Sequence, residues 1–234
     1  MDTRKFVSLE EGYSTWAEVY DTCLNPSLVS GERALRALLP KRLKNKKILD
    51  VGCGTGRWAK YLIGKNAQVY GIDISKSMLA VARKKVPTAD LMVAYANKLP
   101  FKNNEFDLAI STLAFDHIKN TKPALKEVAR VLKPNSLFFL SMIRPDRIEG
   151  IKGPDTGKYG RIHFKLKNTR YVINDVYNKS PEGLRKQFVE VGFELVKLNK
   201  VKATPEEADS FKNPQLKRLV DVDFVWIYKL RKIK

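Results

Sequence analysis

The sequence predicts an α/β fold, a doubly wound and mostly parallel sheet with helices on both faces, from three observations. First, Ile48-Leu49-Asp50-Val51 runs into glycines at 52, 54 and 56, and then into Arg57-Trp58-Ala59-Lys60-Tyr61-Leu62-Ile63. That order reads as a buried strand, a tight glycine loop and the start of a helix. Second, short apolar runs at 68–72, 91–94, 106–111 and 137–143 alternate with amphipathic segments, the pattern of βα units around a parallel sheet. Third, the run Gln68-Val69-Tyr70-Gly71-Ile72 ends on Asp73, 21 residues after Gly52. An acid at that place accepts hydrogen bonds from ribose hydroxyls in nucleotide-binding turns.

The glycine spacing narrows the ligand. A dinucleotide fingerprint needs a third glycine at 57, which is Arg, and a phosphate-binding Walker loop is absent. The spacing is instead G-x-G-x-G preceded by Asp50. Missing side chains let the backbone approach a ligand closely. A carboxylate at the strand end suits a ligand with an ammonium group better than one with a pyrophosphate.

These residues carry a resemblance. Asp50-Val51-Gly52-Cys53-Gly54-Thr55-Gly56 followed by Gly71-Ile72-Asp73-Ile74-Ser75 is similar to motifs I and II of the class I S-adenosylmethionine (SAM) dependent methyltransferases. Leu99-Pro100-Phe101, Phe106-Asp107-Leu108-Ala109-Ile110 and Glu127 to Pro134 resemble later stretches of that family in the same order. The likeness covers roughly residues 13–145 and is strongest to the branch that methylates small molecules, including ubiquinone and menaquinone precursors. It implies a Rossmann-like seven-stranded sheet, mostly parallel with the last strand antiparallel, and a lid or hairpin insertion after the fifth strand. It further implies SAM as cofactor. Asp50, Gly52, Gly54 and Gly56 would hold the methionyl end, Asp73 the ribose, and Ala96 with Asn97 the adenine edge. Tyr13, Trp16 or Tyr20 would close over the methionine end, and Tyr20, Cys53, Ile74, Met78, Ser111 and Thr112 complete the expected cofactor-binding set. One departure is Tyr95, where related sequences often place Asp.

The chain is expected to form one domain, 1–234. An N-terminal helical cap spans 1–40, the SAM-binding core 41–145, the lid insertion 146–179, and the C-terminal part of the sheet 180–234. In the cap, Leu9, Tyr13, Trp16 and Tyr20 recur at helical spacing, one face of a helix expected over roughly residues 9–22. Pro26 breaks the chain, and Ser30 is expected to cap a helix that ends before Pro40. In the core, Ser75 caps a helix whose face is Met78, Leu79 and Ala82. Asn103-Asn104 marks a turn before the strand 106–111, and a helix at 123–132 precedes a turn at Pro134-Asn135 and the strand 137–143.

Residues 144–159 are rich in Gly and Pro and read as a loop. Strands at 161–167 and 170–177 are expected to form a hairpin about Asn168-Thr169, since Ile162, Phe164 and Leu166 alternate with polar residues. Ser180-Pro181 opens a helix that Gly192 stops, and a strand follows at 195–201. Thr204-Pro205-Glu206-Glu207 is a capping box. That helix is interrupted at Pro214, and the last strand spans 222–230.

Transfer of a methyl group from a preactivated donor asks for alignment and exclusion of water, with a base where the acceptor must lose a proton. The chain has two histidines, His117 and His163, and both are candidate catalytic groups. His117 follows the strand 106–111, on the side where ligands meet an open α/β sheet. The place after that strand reads Ser111-Thr112-Leu113-Ala114. It carries neither the Asn/Asp-Pro-Pro-aromatic loop of enzymes that methylate base amines nor a nucleophilic cysteine. Cys23 and Cys53 form no metal pattern and no disulfide framework, so no metal is expected.

The net charge is +19, with 25 basic and 15 acidic residues in 1–150 and 19 and 10 in the remainder. The charge is thus spread along the chain, although such a field attracts polyanions. The expected function is methyl transfer to a small-molecule acceptor. The alternatives are a tRNA methyltransferase of the wobble-uridine type and a non-catalytic SAM-binding regulator. The absence of an 18-residue apolar run and of a charged-then-apolar leader points to a cytoplasmic protein without a membrane span. The acceptor, the methylated atom and the oligomeric state are not written in these motifs.

Overall fold

The computed structural model describes residues 3–22, 25–144, 158–166, 169–177, 179–211 and 214–233. Strand β1 (Thr3–Val7) leads into helix α1 (Leu9–Trp16), whose first turn is capped by Ser8 Oγ accepting from the Glu11 amide. The helix is shorter than the expected 9–22; a separate 3₁₀ turn covers Tyr20–Thr22. Helix α2 (Pro26–Leu38) starts four residues before the expected cap at Ser30. Asn25 caps it by accepting from the Ser27 amide, and Pro26 sits in the first turn, where a missing N–H costs nothing. Ser30 lies buried within the helix and donates to Glu207 Oε2 at 2.7 Å.

The core follows in order: β2 (Lys47–Val51), α3 (Arg57–Ile63), β3 (Gln68–Asp73), α4 (Lys76–Lys85), β4 (Asp90–Val93), β5 (Phe106–Thr112), α5 (Thr121–Val131) and β6 (Leu132–Ile143). The turn expected at Pro134-Asn135 is instead an irregularity within the β5–β6 pairing, with Asn135 at φ 63°. The hairpin strands are β7 (Lys158–Leu166) and β8 (Thr169–Tyr177). The expected loop at 144–159 falls largely, and the turn residue Asn168 wholly, outside the described residues. The chain closes with α6 (Pro181–Glu190), β9 (Phe193–Val201), α7 (Pro205–Ser210) and β10 (Val225–Lys232). The capping box at Thr204 forms, with Glu207 as its reciprocal partner.

Seven strands form one sheet in the order β4-β3-β2-β5-β6-β10-β9. Neighbours from β4 to β6 are parallel, and β10 runs antiparallel to both β6 and β9. The chain winds outward from β2 through β3 to β4, then restarts at β5 on the other side. That reversal opens a crevice beyond the carboxyl ends of β2 and β5. Strand residues alternate between faces. Ile48, Ile110 and Phe139 pack with α2 and α3 on one face, while Leu49, Ala109 and Phe138 pack with α5 and α6 on the other.

A second sheet was not foreseen. β1 pairs in parallel with β8, and β8 pairs antiparallel with β7, giving the order β1-β8-β7. Val7, Trp16 and Ile173 form a small separate core there, with Leu9, Tyr13, Tyr20 and Tyr171 around it. The N-terminal segment and the hairpin therefore form one packed unit. Gly12 permits this contact, because a Cβ at that position would lie 2.5 Å from both Cγ1 and Cδ1 of Ile173. Gly12→Leu should push α1 off β8 and leave the large sheet intact. Hydrogen exchange would then show lost protection in β1, α1 and β8 only, with β2, β5 and β6 unchanged.

Candidate functional site

The glycine loop is shaped by close approaches. Gly52 and Cys53 amides both donate to the Ile72 carbonyl, at 2.8 and 2.9 Å, which ties the loop to the end of β3. Gly52 has φ 77°, and a Cβ there would lie 2.3 Å from the Ala114 Cβ. No other residue fits, in conformation or in space. Gly54, at φ 52°, has nothing within 4 Å of where a Cβ would be, so its backbone borders open space. Its amide donates to Asp73 Oδ2 at 2.9 Å, and the Ser75 amide donates to Asp73 Oδ1 at 2.9 Å. Asp73 is thus aimed by two backbone donors, while burial raises its pKa above the ordinary carboxylate range.

A cavity of about 370 Å³ lies over this loop. Its floor is Val51, Gly52, Gly54, Ile72, Asp73, Ile74, Ser75 and Met78. One wall is Tyr95, Ala96 and Asn97. The opposite wall is Thr112, Leu113, Ala114, His117 and Ile118. The roof is Leu9, Glu10, Tyr13 and Tyr20 from the N-terminal segment. This volume lies within the usual range for small-ligand pockets.

The remaining expected site residues lie elsewhere. Cys53 is buried, with its thiol beside Gly71, and burial pushes its pKa up. Gly56 precedes α3 and faces Ala82 and Val86. Ser111 is fully buried and donates to the Val51 carbonyl at 2.7 Å, joining β5 to β2 beneath the cavity. His163 stands in β7 opposite Val172, and its side chain lies outside the described residues, as does Cys23.

Asp50 is the unusual group. It is 1% exposed, and neither carboxylate oxygen has a hydrogen-bond partner among the described residues. Burial, with the nearby charge of Asp73 adding to it, pushes its pKa up to about 8. An orphaned buried carboxylate costs free energy unless it is neutral or meets a cation.

The wall that follows β5 is held as firmly. Leu113 sits at φ 56°, a conformation that side chains beyond glycine rarely take, and its amide donates to the Ser141 carbonyl at 2.9 Å. A 3₁₀ turn, Phe115–His117, follows. Both oxygens of the buried Asp116 accept from the Ile143 amide, at 3.2 and 3.4 Å, and burial lifts the Asp116 pKa to about 7. His117 Nε2 lies 2.8 Å from the Tyr13 hydroxyl, with the two rings edge to face. The roof is also fastened through Asp21, which accepts from Thr55 Oγ1 at 2.8 Å and pairs with Lys85 and Arg57.

Sequence reading missed the contributions of Glu10 and Asp21. The steps in the stripe Leu9, Tyr13, Trp16, Tyr20 were the available signal for the roof, but spacing alone does not say what a stripe covers. Among the described residues there is no cluster of three or more His, Cys, Asp or Glu side chains fit for a metal ion. No described helix is long and apolar enough to cross a membrane.

Fold and cavity define an α/β protein with a cofactor-sized site at the switch point of its sheet. The Methyltransferase domain family matches residues 49–140. An uncharacterized protein of Methanocaldococcus jannaschii, MJ1252, is 30% identical over 220 residues, covering 89% of this chain and 85% of that protein. A demethylmenaquinone methyltransferase of Staphylococcus aureus is 38% identical over 100 residues, covering 40% of this chain and 42% of that enzyme. A chain in the complex between the Haloferax volcanii Trm112 methyltransferase activator and the putative methyltransferase superposes with a TM-score of 0.72 at 18% identity. It covers 97% of this chain and 98% of that one, a likeness of fold. This chain belongs to the class I SAM-dependent methyltransferases. It is an enzyme, and SAM is its cofactor.

The isolation of Asp50 has a measurable sign. Its folded pKa of about 8 lies above the unfolded value, so its favourable contribution is complete below about pH 4 and is lost as pH rises through 8. Asp50→Asn removes that titration. In thermal melts without ligand, the variant should gain on the wild type between pH 5 and pH 8.5, by on the order of 4 kcal/mol at the upper end. A constant difference between the two pH values would place the carboxylate in contact with solvent or a partner.

Proposed function

We propose that this enzyme methylates a small-molecule acceptor brought against the wall Thr112–Ile118, and that the floor of the same cavity holds SAM. The observation that carries the reading is the orphaned Asp50 carboxylate beside a glycine loop whose Gly54 backbone borders open space. A buried acid with no partner fits a cationic ligand, and SAM carries an ammonium and a sulfonium. When bound, SAM supplies a methyl group that a nucleophile displaces in line from sulfur.

The chain's own residues would do the rest. Asp50, Gly52 and Gly54 would hold the methionyl end by charge and by close backbone approach. Asp73 would take the ribose hydroxyls, since a carboxylate has acceptor positions beyond the two that Gly54 and Ser75 occupy. Ile74 and Met78 would pack beside it, and Ala96 with Asn97 would meet the adenine edge. Thr112 would border the reacting centre. Tyr20 and Tyr13 would exclude water from above, which strengthens the electrostatics inside. His117 would accept the proton that an acceptor hydroxyl or amine gives up.

The pocket's modest volume and its aromatic roof support a small acceptor, as does the likeness to the demethylmenaquinone enzyme. The net charge of +19, a field that attracts polyanions, favours tRNA as the second reading. Calorimetric titration of the full chain with SAM, with and without total tRNA and at two salt concentrations, separates them. Cofactor binding independent of tRNA supports the first reading; salt-sensitive tRNA binding coupled to methyl transfer supports the second. Asp73→Ala should weaken SAM binding at least tenfold without changing the fold; unchanged affinity would remove Asp73 from the ribose site. At pH 7 SAM binding should release up to one proton, seen as a buffer-dependent heat, because a cation beside Asp50 lowers its pKa from about 8. Asp50→Asn should abolish that release.

A further inference from the structure

We infer that Tyr13 is a catalytic residue acting with His117, its hydroxyl relaying the acceptor's proton to His117 Nε2. The inference rests on the reading of this cavity as the methyl-transfer site. Both side chains line the cavity, yet they come from segments 104 residues apart, α1 and the turn after β5. Their polar atoms meet at 2.8 Å, and the rings lie edge to face at 5.3 Å and 83°.

The pair is pinned from both sides. Tyr13 is flanked by the rings of Trp16 and Tyr20, each 6.1 Å away. His117 is carried on a turn fixed by the Asp116 contact with the Ile143 amide and by Ala114 against Gly52. Neither residue needs the other for packing alone, since phenylalanine would fill the same space as Tyr13. What the hydroxyl adds is the hydrogen bond to a titratable ring.

The direction of that bond follows from the surroundings. Burial, with Tyr20, Asp116 and Asp73 contributing, raises the Tyr13 pKa well above its ordinary value, so the phenol keeps its proton. A half-buried phenol donates to the best acceptor in reach, and a neutral imidazole nitrogen is a strong one. Tyr13 therefore donates to Nε2, and the ring proton of neutral His117 sits on Nδ1. The phenol oxygen keeps lone pairs for a donor in the cavity.

An acceptor X–H would give its proton to the Tyr13 oxygen while the phenol proton passes to Nε2. X keeps the bonding pair and forms the bond to the methyl carbon as the carbon–sulfur bond breaks, its electrons going to sulfur. One positive charge leaves sulfur and one arrives on His117, so charge balances and Tyr13 ends unchanged. The charged and titratable groups around the pair are Glu10 and Tyr20 in the roof, Asp73 at the end of β3, and Asp116 on the same turn with Lys179 acting on it. The acids among them favour the imidazolium that forms.

The chain has two histidines, so imidazole NMR of isotopically labelled full-length protein resolves both, and His163→Gln assigns them. With S-adenosylhomocysteine bound, His117 should show the Nδ1–H tautomer in the wild type. Tyr13→Phe should raise the His117 pKa by roughly 0.5–1 unit, because it removes a hydrogen bond that favours the neutral ring. An Nε2–H tautomer in the wild type, or a titration that Tyr13→Phe leaves unmoved while S-adenosylhomocysteine still binds, overturns the relay alone. Failure of the wild type to bind S-adenosylhomocysteine overturns the cofactor reading on which the relay rests.

Discussion

The arrangement of this enzyme turns on one close approach, the contact between Gly52 and Ala114. A Cβ on Gly52 would overlap the Ala114 side chain, so the loop after β2 and the loop after β5 touch only because position 52 has no side chain. The topology makes those two loops the edges of the crevice, since the chain reverses its winding between β2 and β5. Close contact there brings the glycine floor and the His117 wall around a single cavity. Donor and acceptor for a displacement must meet near van der Waals contact. The left-handed backbone at Leu113 belongs to the same constraint, because the chain must turn sharply off β5 to lay Ala114 on the loop.

The chain as a whole carries +19, yet Asp73 lines the cavity and Asp50 and Asp116 lie buried next in the chain to its lining, each with its pKa raised by burial. They are not equivalent. Asp73 is aimed by two backbone amides and Asp116 by one, whereas Asp50 has no partner among the described residues. A cation bound here would favour the ionised form of these acids, Asp50 above all. That fits the cationic cofactor of the family better than it would a dinucleotide.

The roof has a structural basis of its own. β1, β7 and β8 make a sheet separate from the seven-stranded one, with a small core at Val7, Trp16 and Ile173. The N-terminal aromatic residues, which roof the cavity, are therefore packed on the hairpin that follows β6. Asp21 ties the roof to Thr55 in the glycine loop, to Arg57 and to Lys85. The roof of the cavity thus rests on a hairpin encoded far along the chain from it.

The sequence by itself determined what depends on neighbours a few residues apart. The βα order, the caps at Ser75, Ser180 and Thr204, and the gathering of Gly52, Gly54, Asp73, Ala96, Asn97, Thr112 and His117 at the carboxyl edge were legible. Each rests on local backbone chemistry or on the general rule for open α/β sheets. Where the local signal was ambiguous the reading slipped: Pro26 breaks a chain or opens a helix equally well, and Asn25 decided for the helix. Tertiary structure alone decided the pairing of β1 with β8, the meeting of Tyr13 with His117, the fastening of Asp21 and the isolation of Asp50. The first three join segments separated by at least 34 residues, and the last depends on every atom that does not come near a carboxylate. No periodicity or spacing encodes such relations, because they arise only when the packed sheet brings distant loops to the same end.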